Sequence, residues 1–426
     1  MRALLTQKEQ RQLRILEYLF ENPDWIHLDP LAEALNINTR IIKSDIKEMR
    51  EVLSCFEIQS STAGIRLANP KNLGIERIYR HTLQDSSHFQ VLRAFFLLTE
   101  PFTYEHLAQN LDVSLPALRK KVAEINNTLQ SKYRFKLKVT PISIIGDERD
   151  IRFFFAQYFH EAYGYFKWPF PESRKDIAEF VEFFLKLTGY PANYTNLLQI
   201  ETLIAVNLHR FKNGITIQTV SDSEKLLLIY DQLPEYLERL EPLAKSLNIE
   251  LNPDTLEQLF HSFIQKGIFF TVEDFLTARS IDPQVDNSYH AARDVLDNLT
   301  RDFGFHFSNT DELVWHLHNT AILERQEINS ESFISHNKSY SLKKVKKFFP
   351  KFYEAAVLEM MRYKSSIGQK EHAYAVVHLV YTLFTHASDL MEQLLESLNN
   401  IRVLVLSEFD FAHPRSLISL YKFYTS

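Results

Sequence analysis

The chain has 426 residues, of which 45% are hydrophobic and 13% aromatic, and its formal net charge is −6. With 33 Phe and 9 Gly, the composition predicts about three or four domains with thick helical cores, and it excludes a disordered chain and a glycine-turned all-β protein. A single cysteine, a polar N-terminal segment and no apolar run of roughly 18–20 residues argue against a disulfide scaffold, a signal peptide and a membrane span, so we expect a cytoplasmic protein without membrane contact.

The charge is unevenly distributed along the chain. Residues 1–150 contain 21 Lys and Arg against 19 Asp and Glu, whereas the remaining residues contain 27 against 35. A slightly positive N-terminal third on an acidic body is typical of a DNA-binding head joined to a body that contacts other proteins.

The stretch LAEALNINTRIIKSDIKEMREVL at 31–53 predicts a short helix, a tight break and a longer helix. Each helix has an apolar stripe at helical spacing, formed by Leu31, Ala32 and Leu35 and then by Ile42, Ile46, Met49 and Leu53. A basic stripe lies beside the second apolar stripe and consists of Arg40, Lys43, Lys47 and Arg50. A predicted helix at 10–20 precedes this pair, and two strand-like pieces follow at 56–67, which is the order of a winged helix-turn-helix domain.

The same pattern recurs 76 residues later, in LAQNLDVSLPALRKKVAEINNTL at 107–129. Without any gap, the positions Leu31, Ala32, Leu35, Ile37, Ile42, Ile46, Met49 and Leu53 are matched by Leu107, Ala108, Leu111, Val113, Leu118, Val122, Ile125 and Leu129. A predicted helix at 91–99 again precedes the pair. The sequence therefore predicts a second winged helix-turn-helix domain.

The segment KYRFKLKV at 132–139 predicts a strand with two different faces. One face carries Lys132, Arg134, Lys136 and Lys138, and the other carries four apolar or aromatic groups. Next to a helix-turn-helix, we interpret this strand as a wing over DNA phosphates. The alternative is an edge strand whose lysines prevent aggregation.

These positions suggest how the heads contact DNA. A helix fits the major groove, where Arg and Lys reach guanine edges while other cations meet phosphates. In the first module we assign Arg40 and Lys43 to base edges, and Lys47 and Arg50 to the backbone. In the second module the cluster Arg119, Lys120 and Lys121 lies in the first turns of the helix, and the wing cations follow it.

Two further segments follow the modules, IIGDERDIRFFFAQYF at 144–159 and ETLIAVNLHRFKNGI at 201–215. In this order the chain resembles the Mga/AtxA-type transcriptional regulators of Gram-positive bacteria. The resemblance implies a homodimer or higher oligomer that binds double-stranded promoter DNA and activates transcription, which brings it to RNA polymerase. It also implies two helical domains like those regulated by the phosphotransferase system, and a phosphocarrier of that system as a partner.

In domains of this kind, the resemblance places phosphorylated histidines at defined positions. His318 stands seven residues before Arg325, and His378 stands seven residues after Glu371, so both match the second domain. In the first domain the matching position is Leu203, which leaves His209 and His261 as nearby alternatives. A neutral imidazole is a competent nucleophile at cytoplasmic pH. The alternative for His318 is a histidine that hydrogen-bonds internally.

The predicted fold is mainly α, with two winged modules, two all-helical regulatory domains and an incomplete α/β segment. The expected ranges are 1–70 and 71–148 for the modules, 149–282 and 283–399 for the helical domains, and 400–426 for the last segment. The resemblance identifies that last segment as the start of a domain like enzyme IIB of the phosphotransferase system. One strand and one helix do not complete a parallel sheet, so this segment is either truncated or packed on a neighbour.

Other classes of protein fit the sequence less well. It contains no glycine-rich phosphate loop, no metal-ligand spacing and no nucleophile elbow, so we predict no catalytic residues, no metal and no cofactor. An RNA-binding antiterminator shares the regulatory domains but begins with a small β domain that is absent here. A regulator that contacts only proteins is the third alternative, and the basic stripes disfavour it.

Overall fold

A computed structural model describes residues 1–53, 56–69, 73–97, 103–164, 166–188, 194–218, 231, 236–263, 267–323, 334, 337–370 and 373–397. The predicted segment at 400–426 lies outside the described residues. The chain forms two compact units, Met1–Lys266 with Ile328–His336 and Gly267–Glu327 with Asn337–Ser426. The prediction of a mainly α protein is confirmed, because the described residues form 19 helices and only small sheets.

The first unit begins with a short 3-10 helix at Arg2–Leu4 and then contains most of the helices. Their bounds are α1 Gln7–Glu21, α2 Leu28–Leu35, α3 Thr39–Val52, α4 Glu76–Asp85, α5 Ser87–Leu97, α6 Tyr104–Asn110, α7 Leu115–Lys132, α8 Glu148–Tyr163, α9 Arg174–Thr188, α10 Tyr194–Lys212, α11 Leu237–Leu247 and α12 Pro253–Phe260. Two antiparallel hairpins complete it, formed by β1 Glu57–Ser61 with β2 Gly64–Ala68 and by β3 Phe135–Val139 with β4 Ile142–Gly146.

The first head, which we define as α1–α3 with β1 and β2, is the predicted winged helix-turn-helix. Helix α1 starts in a capping box between Thr6 and Glu9, which satisfies two amides that a helix start leaves open. The hairpin follows α3, and a backbone bridge between Ile26 and Ile65 ties it to the start of α2. At Gly64 the backbone has φ +123, and a Cβ would lie 2.2 Å from the Ile26 carbonyl oxygen, so the bridge requires glycine here.

The second head, α5–α7 with β3 and β4, shares its core with helix α8. Eleven of the 16 residues of α8 are buried, so this helix is covered on all sides, as its run of aromatic residues suggests. Phe155 stacks on Phe96 of α5 with ring centroids 4.5 Å apart, and Phe154 meets Phe135 of the wing strand at 5.3 Å. Helix α8 therefore joins the second head to the helices that follow it.

A buried charge network fixes the start of α8. The Glu148 carboxylate accepts hydrogen bonds from Arg152 at 2.9 Å and from Arg210 of α10 at 2.8 and 2.6 Å. The Arg152 side chain is fully buried and also donates to the carbonyl oxygens of Gln258 and Ile215, both at 2.8 Å. Through Glu148 and Arg152, the start of α8 is thus tied to α10, to α12 and to the loop at Ile215.

The second unit is an all-helical bundle in the described residues. Its helices are α13 Val272–Arg279, α14 Pro283–Phe303, α15 Thr310–Leu323, α16 Asn337–Phe348, α17 Pro350–Ser366, α18 Ala373–His386 and α19 Leu390–Ser397. Helix α13 belongs to this unit, and its Phe275 is part of the core. The sequence placed the start of this domain at 283, which is later than the division seen here. No helix among the described residues has the length and apolar character needed to traverse a bilayer.

The Glu148 network predicts a large loss of stability on neutralisation of its carboxylate. Glu148→Gln would leave two guanidinium groups buried without their counter-charge, and we expect the free energy of unfolding to fall by about 3–5 kcal/mol. Urea unfolding of the full chain measures this, and hydrogen exchange of the α8 and α10 amides localises it.

Glu182→Gln is the matched control, because Glu182 pairs with Lys186 at 2.7 Å on an exposed surface of the same unit. Its removal should change the unfolding free energy by about 0.5 kcal/mol or less. Equal effects of the two substitutions would contradict a structural role for the Glu148 network.

Candidate nucleic-acid interface

The breaks between the paired helices have the same geometry in both heads. Asn36 and Asp112, which are 76 residues apart, both adopt the left-handed conformation, with φ of 53° and 50°. Such a residue is typical of a helix end. The next amide, that of Ile37 or Val113, bonds to the carbonyl oxygen five residues earlier at 3.0 Å in each head. The repeat predicted from the sequence is therefore confirmed in the backbone.

The second helix of each pair also begins at equivalent positions. Asn38 caps α3 and Ser114 caps α7, each through a side-chain oxygen that accepts a backbone N–H. The predicted apolar residues inside both helices are buried, namely Ile42, Ile46 and Met49 in α3 and Leu118, Val122, Ile125 and Leu129 in α7. Leu53, the last residue of the first predicted stripe, follows α3 and is half-buried. The core of each head is thus formed by one side of its second helix.

The predicted basic stripe of α3 is exposed. Arg40, Lys43 and Lys47 are all exposed, and the described part of the chain offers their side chains no hydrogen bond or ion pair. Arg50 differs, because its Nε donates to the Ile58 carbonyl oxygen at 2.7 Å and its Nη2 donates to the Ser60 hydroxyl. Arg50 therefore fixes the wing strand to α3, a role that the sequence analysis did not anticipate.

The same position has the same role in the second head. Asn126, 76 residues after Arg50, receives a hydrogen bond from the Leu137 amide at 2.7 Å and donates to the Leu137 carbonyl oxygen at 2.9 Å. The Asn126 amide thus pairs with both backbone groups of one residue of the wing strand, as a neighbouring strand would. Each wing is thus held to its own recognition helix.

A helical wheel would place the acidic side of α3 in solvent, but one of its residues is buried. Asp45 is 2% exposed and accepts hydrogen bonds from the Arg11 guanidinium, one of them at 3.0 Å. This pair ties α1 to α3. Next to it lies a hollow of about 380 Å³ lined by Lys8, Arg11, Arg40, Ile41, Ser44, Asp45 and Glu48.

The predicted cations of α7 differ in exposure. Arg119 and Lys120 are exposed, whereas Lys121 is half-buried because its position corresponds to the buried Asp45 of α3. Lys120 lies 3.9 Å from Glu124, one helical turn away, and its side chain is 80% exposed. A pair this exposed holds the lysine weakly, so Arg119 and Lys120 are accessible to an anion.

The predicted wing strand is wrong at its start. Lys132 is the last residue of α7, and Arg134 adopts a left-handed conformation with φ 56° before the strand begins at Phe135. The physical reason is that Tyr133 is fully buried and continues the apolar side of the helix. Of the four cations, Lys136 and Lys138 are exposed on the strand itself.

Arg134 is held by a buried carboxylate at the start of α8. Its guanidinium lies 3.2 Å from Asp150, whose side chain is 1% exposed. Burial raises the pKa of Asp150 to about 6, although the nearby Arg134 acts in the opposite direction. The pairing orients Arg134 towards α8, while its side chain remains 60% exposed.

His318 lies inside the second unit. It is 2% exposed, its Nδ1 is 2.7 Å from the Ser288 hydroxyl, and its Nε2 is 2.8 Å from the Gly267 carbonyl oxygen. Both ring nitrogens are therefore occupied. The geometry favours the internally hydrogen-bonded alternative for this residue over a phosphate acceptor.

The remaining candidate histidines divide in the same way. His209 is buried with its Nε2 2.9 Å from the Phe96 carbonyl oxygen, and burial lowers its pKa. Burial, together with the nearby Arg152, lowers the pKa of His261 to about 3. His378 on α18 is only half-buried. Among the four, His378 has the side chain most open to a phosphate donor.

The raised pKa of Asp150 predicts a pH dependence of stability. Because the folded state holds the proton more tightly than the unfolded state, the contribution of Asp150 is favourable below about pH 4 and is lost as the pH rises through about 6. Asp150→Asn removes this loss. The gain in unfolding free energy should be larger at pH 7.5 than at pH 4.5 by about 2 kcal/mol, measured by urea unfolding. An equal gain at both pH values would contradict the buried-carboxylate interpretation.

Comparison with protein families assigns each part of the chain. The model described as the M protein trans-acting positive regulator (MGA) HTH domain matches residues 6–65, the Mga helix-turn-helix domain matches 71–159, and the MGA PRD domain matches 173–390. The first of these matches covers nearly all of the first head, and the second covers α4, the second head and most of α8. The third match extends from the first unit into the second.

Three curated relatives are similar to the chain. A putative trans-acting regulator of Streptococcus pneumoniae is 34% identical over 434 residues, which cover 100% of this chain and 87% of the relative. The capsule synthesis positive regulators AcpB and AcpA of Bacillus anthracis are 23% and 24% identical over 54% and 48% of this chain, and over 47% and 42% of their own lengths. With its two helix-turn-helix heads and its PRD region, the chain belongs to the Mga family of DNA-binding, trans-acting positive regulators.

Proposed function

We propose that the two heads bind successive stretches of one promoter duplex and that the protein activates transcription from it. The observation that supports this most directly is the repetition of one geometry. Two recognition helices, α3 and α7, begin 76 residues apart with equivalent caps, buried stripes and pinned wings. Each presents cations away from its core, where a major groove would lie.

Individual side chains have separate roles in this proposal. Arg40 and Lys43 at the start of α3 reach base edges, and Lys47 lies one turn further along, over the backbone. Arg119 and Lys120 serve the second head. Arg50 holds the wing and Arg134 pairs with Asp150, so in this proposal only the N–H groups that these contacts leave over can donate to phosphates.

The assembly that acts at a promoter is a dimer or higher oligomer. DNA half-sites are usually read by two-fold assemblies, so a second copy would double the number of recognition helices on the operator. Activation also places the protein beside RNA polymerase. Both partners follow from the mode of action proposed here.

Phosphorylation of His378 by a phosphocarrier of the phosphotransferase system is the regulatory part of the proposal. His378 is half-buried on α18, between the buried Val376 and Val380 of the same helix. A phosphoryl group would add roughly −1.5 to −2 charges beside this packed surface, enough to disturb helix contacts there.

DNA binding is tested by a gel shift with promoter duplexes over a range of salt concentrations, with hairpin RNA as the competitor. Arg40→Ala with Lys43→Ala, and separately Arg119→Ala with Lys120→Ala, should each weaken binding. Each lost phosphate contact lowers the slope of log affinity against log salt by about 0.9.

Lys175→Ala with Lys186→Ala is the control, because these exposed lysines lie on α9, outside the heads, with side chains 82% and 71% exposed. This variant should bind as the wild type does. Preference for hairpin RNA over duplex DNA, or unchanged binding by both head variants, would overturn the proposal.

Phosphorylation is tested with the general components of the phosphotransferase system and labelled phosphoenolpyruvate. We expect the wild type to be labelled and His378→Ala to lose a large part of the label. His290→Ala is the control, because His290 is also on the second unit and its side chain is 60% exposed. An unlabelled wild type, or full labelling of His378→Ala, would refute the role of His378.

A further inference from the structure

The two heads present different chemistry at equivalent positions. We infer that they divide their roles on DNA, so that the first turn of α3 reads base edges, including a thymine methyl group through Ile41, while the second head and its wing hold phosphates. This inference rests on the duplex binding proposed above and specifies which side chains select the sequence.

The first turns of the recognition helices differ in their hydrogen-bonding groups. Helix α3 begins Thr39-Arg40-Ile41, whereas α7 begins Leu115-Pro116-Ala117. Because the caps and breaks of the two heads lie 76 residues apart, these residues hold equivalent positions in the two recognition helices. The α3 turn offers a hydroxyl and a guanidinium that can recognise bases, and the α7 turn offers neither.

Ile41 is the unexpected member of the α3 surface. Its side chain is 42% exposed on the half of the helix that would enter a groove, next to Arg40 and in the hollow that Ser44 also lines. A single exposed isoleucine is common on protein surfaces. Between an arginine suited to guanine and a serine that bonds either base type, it matches the one apolar group of the major groove, the thymine methyl.

The charges behind Ile41 are already neutralised. Lys8 pairs with Glu48, and Arg11 pairs with Asp45, so the carboxylates in the hollow do not face an incoming phosphate alone. Arg40 remains as the cation of this surface without a partner in the described part of the chain. The hollow therefore presents an apolar group and one guanidinium without a partner in the described residues, that of Arg40, which suits recognition of a base step more than general attraction to phosphates.

The wings differ in the opposite direction. Lys136 and Lys138 are exposed on β3, opposite Ile145 and Ser143 of β4, and no carboxylate in the described residues pairs with them. In the first wing, Glu57 is exposed, and Arg66 Nε donates a hydrogen bond to Gln59 Oε1 at 2.9 Å. The first wing thus presents no cation without a partner, whereas the second presents two at alternate positions of one strand.

These two kinds of contact give different signatures in binding experiments. Contacts to base edges act at short range and change the ratio between specific and scrambled DNA, while phosphate contacts act on any duplex and appear in the salt dependence. The inference therefore predicts that changes in α3 alter specificity and changes in the second wing alter the salt slope.

The thymine contact is tested by replacing each thymine of the protected promoter sequence, one at a time, with deoxyuridine, which removes only the methyl group. For one thymine in each stretch bound by α3, the replacement should lower wild-type affinity about fourfold, the value for one buried methyl-sized group. Ile41→Ala should bind the thymine duplex and the deoxyuridine duplex equally. Val52→Ala is the control, because Val52 is an exposed apolar residue at the other end of α3, 58% exposed, and this variant should keep the wild-type discrimination.

The division of roles is tested with the full chain on specific and scrambled duplexes. Arg40→Gln should reduce the ratio of specific to scrambled affinity by about 10- to 100-fold. Lys136→Gln with Lys138→Gln should lower the salt slope by about 1.8 and leave that ratio unchanged, whereas Lys175→Gln with Lys186→Gln should change neither quantity.

The outcomes separate this inference from the proposed function. If the wild type binds duplex DNA but no thymine replacement affects it, or Ile41→Ala remains equally sensitive, the methyl contact is wrong. If the wing variant loses specificity instead of salt dependence, the division of roles is wrong. If the wild type binds no duplex, both the proposed function and this inference are refuted.

Discussion

The geometry of the first unit depends on one carboxylate whose side chain is 12% exposed. Glu148 lies two residues after the second wing and accepts hydrogen bonds from Arg152 and Arg210, so it ties the end of the wing hairpin and the start of α8 to α10. Burying such charges costs desolvation energy, and a well-packed apolar cluster would often be as stable. What the ion network adds is a fixed orientation of α8 and α10, because two planar guanidinium groups fit around one carboxylate in few arrangements. The contribution of Glu148 is therefore the placement of the wing more than net stability.

This constraint also explains the histidines of the first helical domain. His209 directly precedes Arg210 in the sequence, and its ring stacks on Phe96 of the second head with ring centroids 5.1 Å apart. His261 lies close enough to Arg152 for that cation to lower its pKa. Both rings are kept neutral by burial in the region that the Glu148 network organises. In this chain both histidines pack where the second head meets the helices that follow it. The position where the resemblance would place a phosphate acceptor holds Leu203, which fits a structural role for these two histidines.

The accuracy of the sequence prediction followed the range of the interactions involved. Helices α3 and α7 were predicted because their apolar spacing acts within a few residues, but their caps, Asn38 and Ser114, were not identified from the sequence. The wing strand was predicted to begin too early, because the alternation of cations with Tyr133 and Phe135 passes without interruption from a helix end into a strand. The partners of Glu148 and His318 were beyond prediction, since Arg210 is 62 residues from Glu148 and Gly267 is 51 residues from His318. A motif contains such residues, but it does not say what they contact.

The distribution of charge gives these local contacts their importance. The chain is acidic overall, at −6, and a net negative charge does not add general affinity for DNA. In the proposed interface, the cations that approach phosphates are those on the exposed faces of α3, α7 and the second wing. Attraction to phosphates is the same for every sequence and weakens as salt rises, so it holds a duplex without selecting it. In the division of roles inferred above, selection comes from the few short-range groups at the start of α3, whose contribution remains when the long-range attraction is screened.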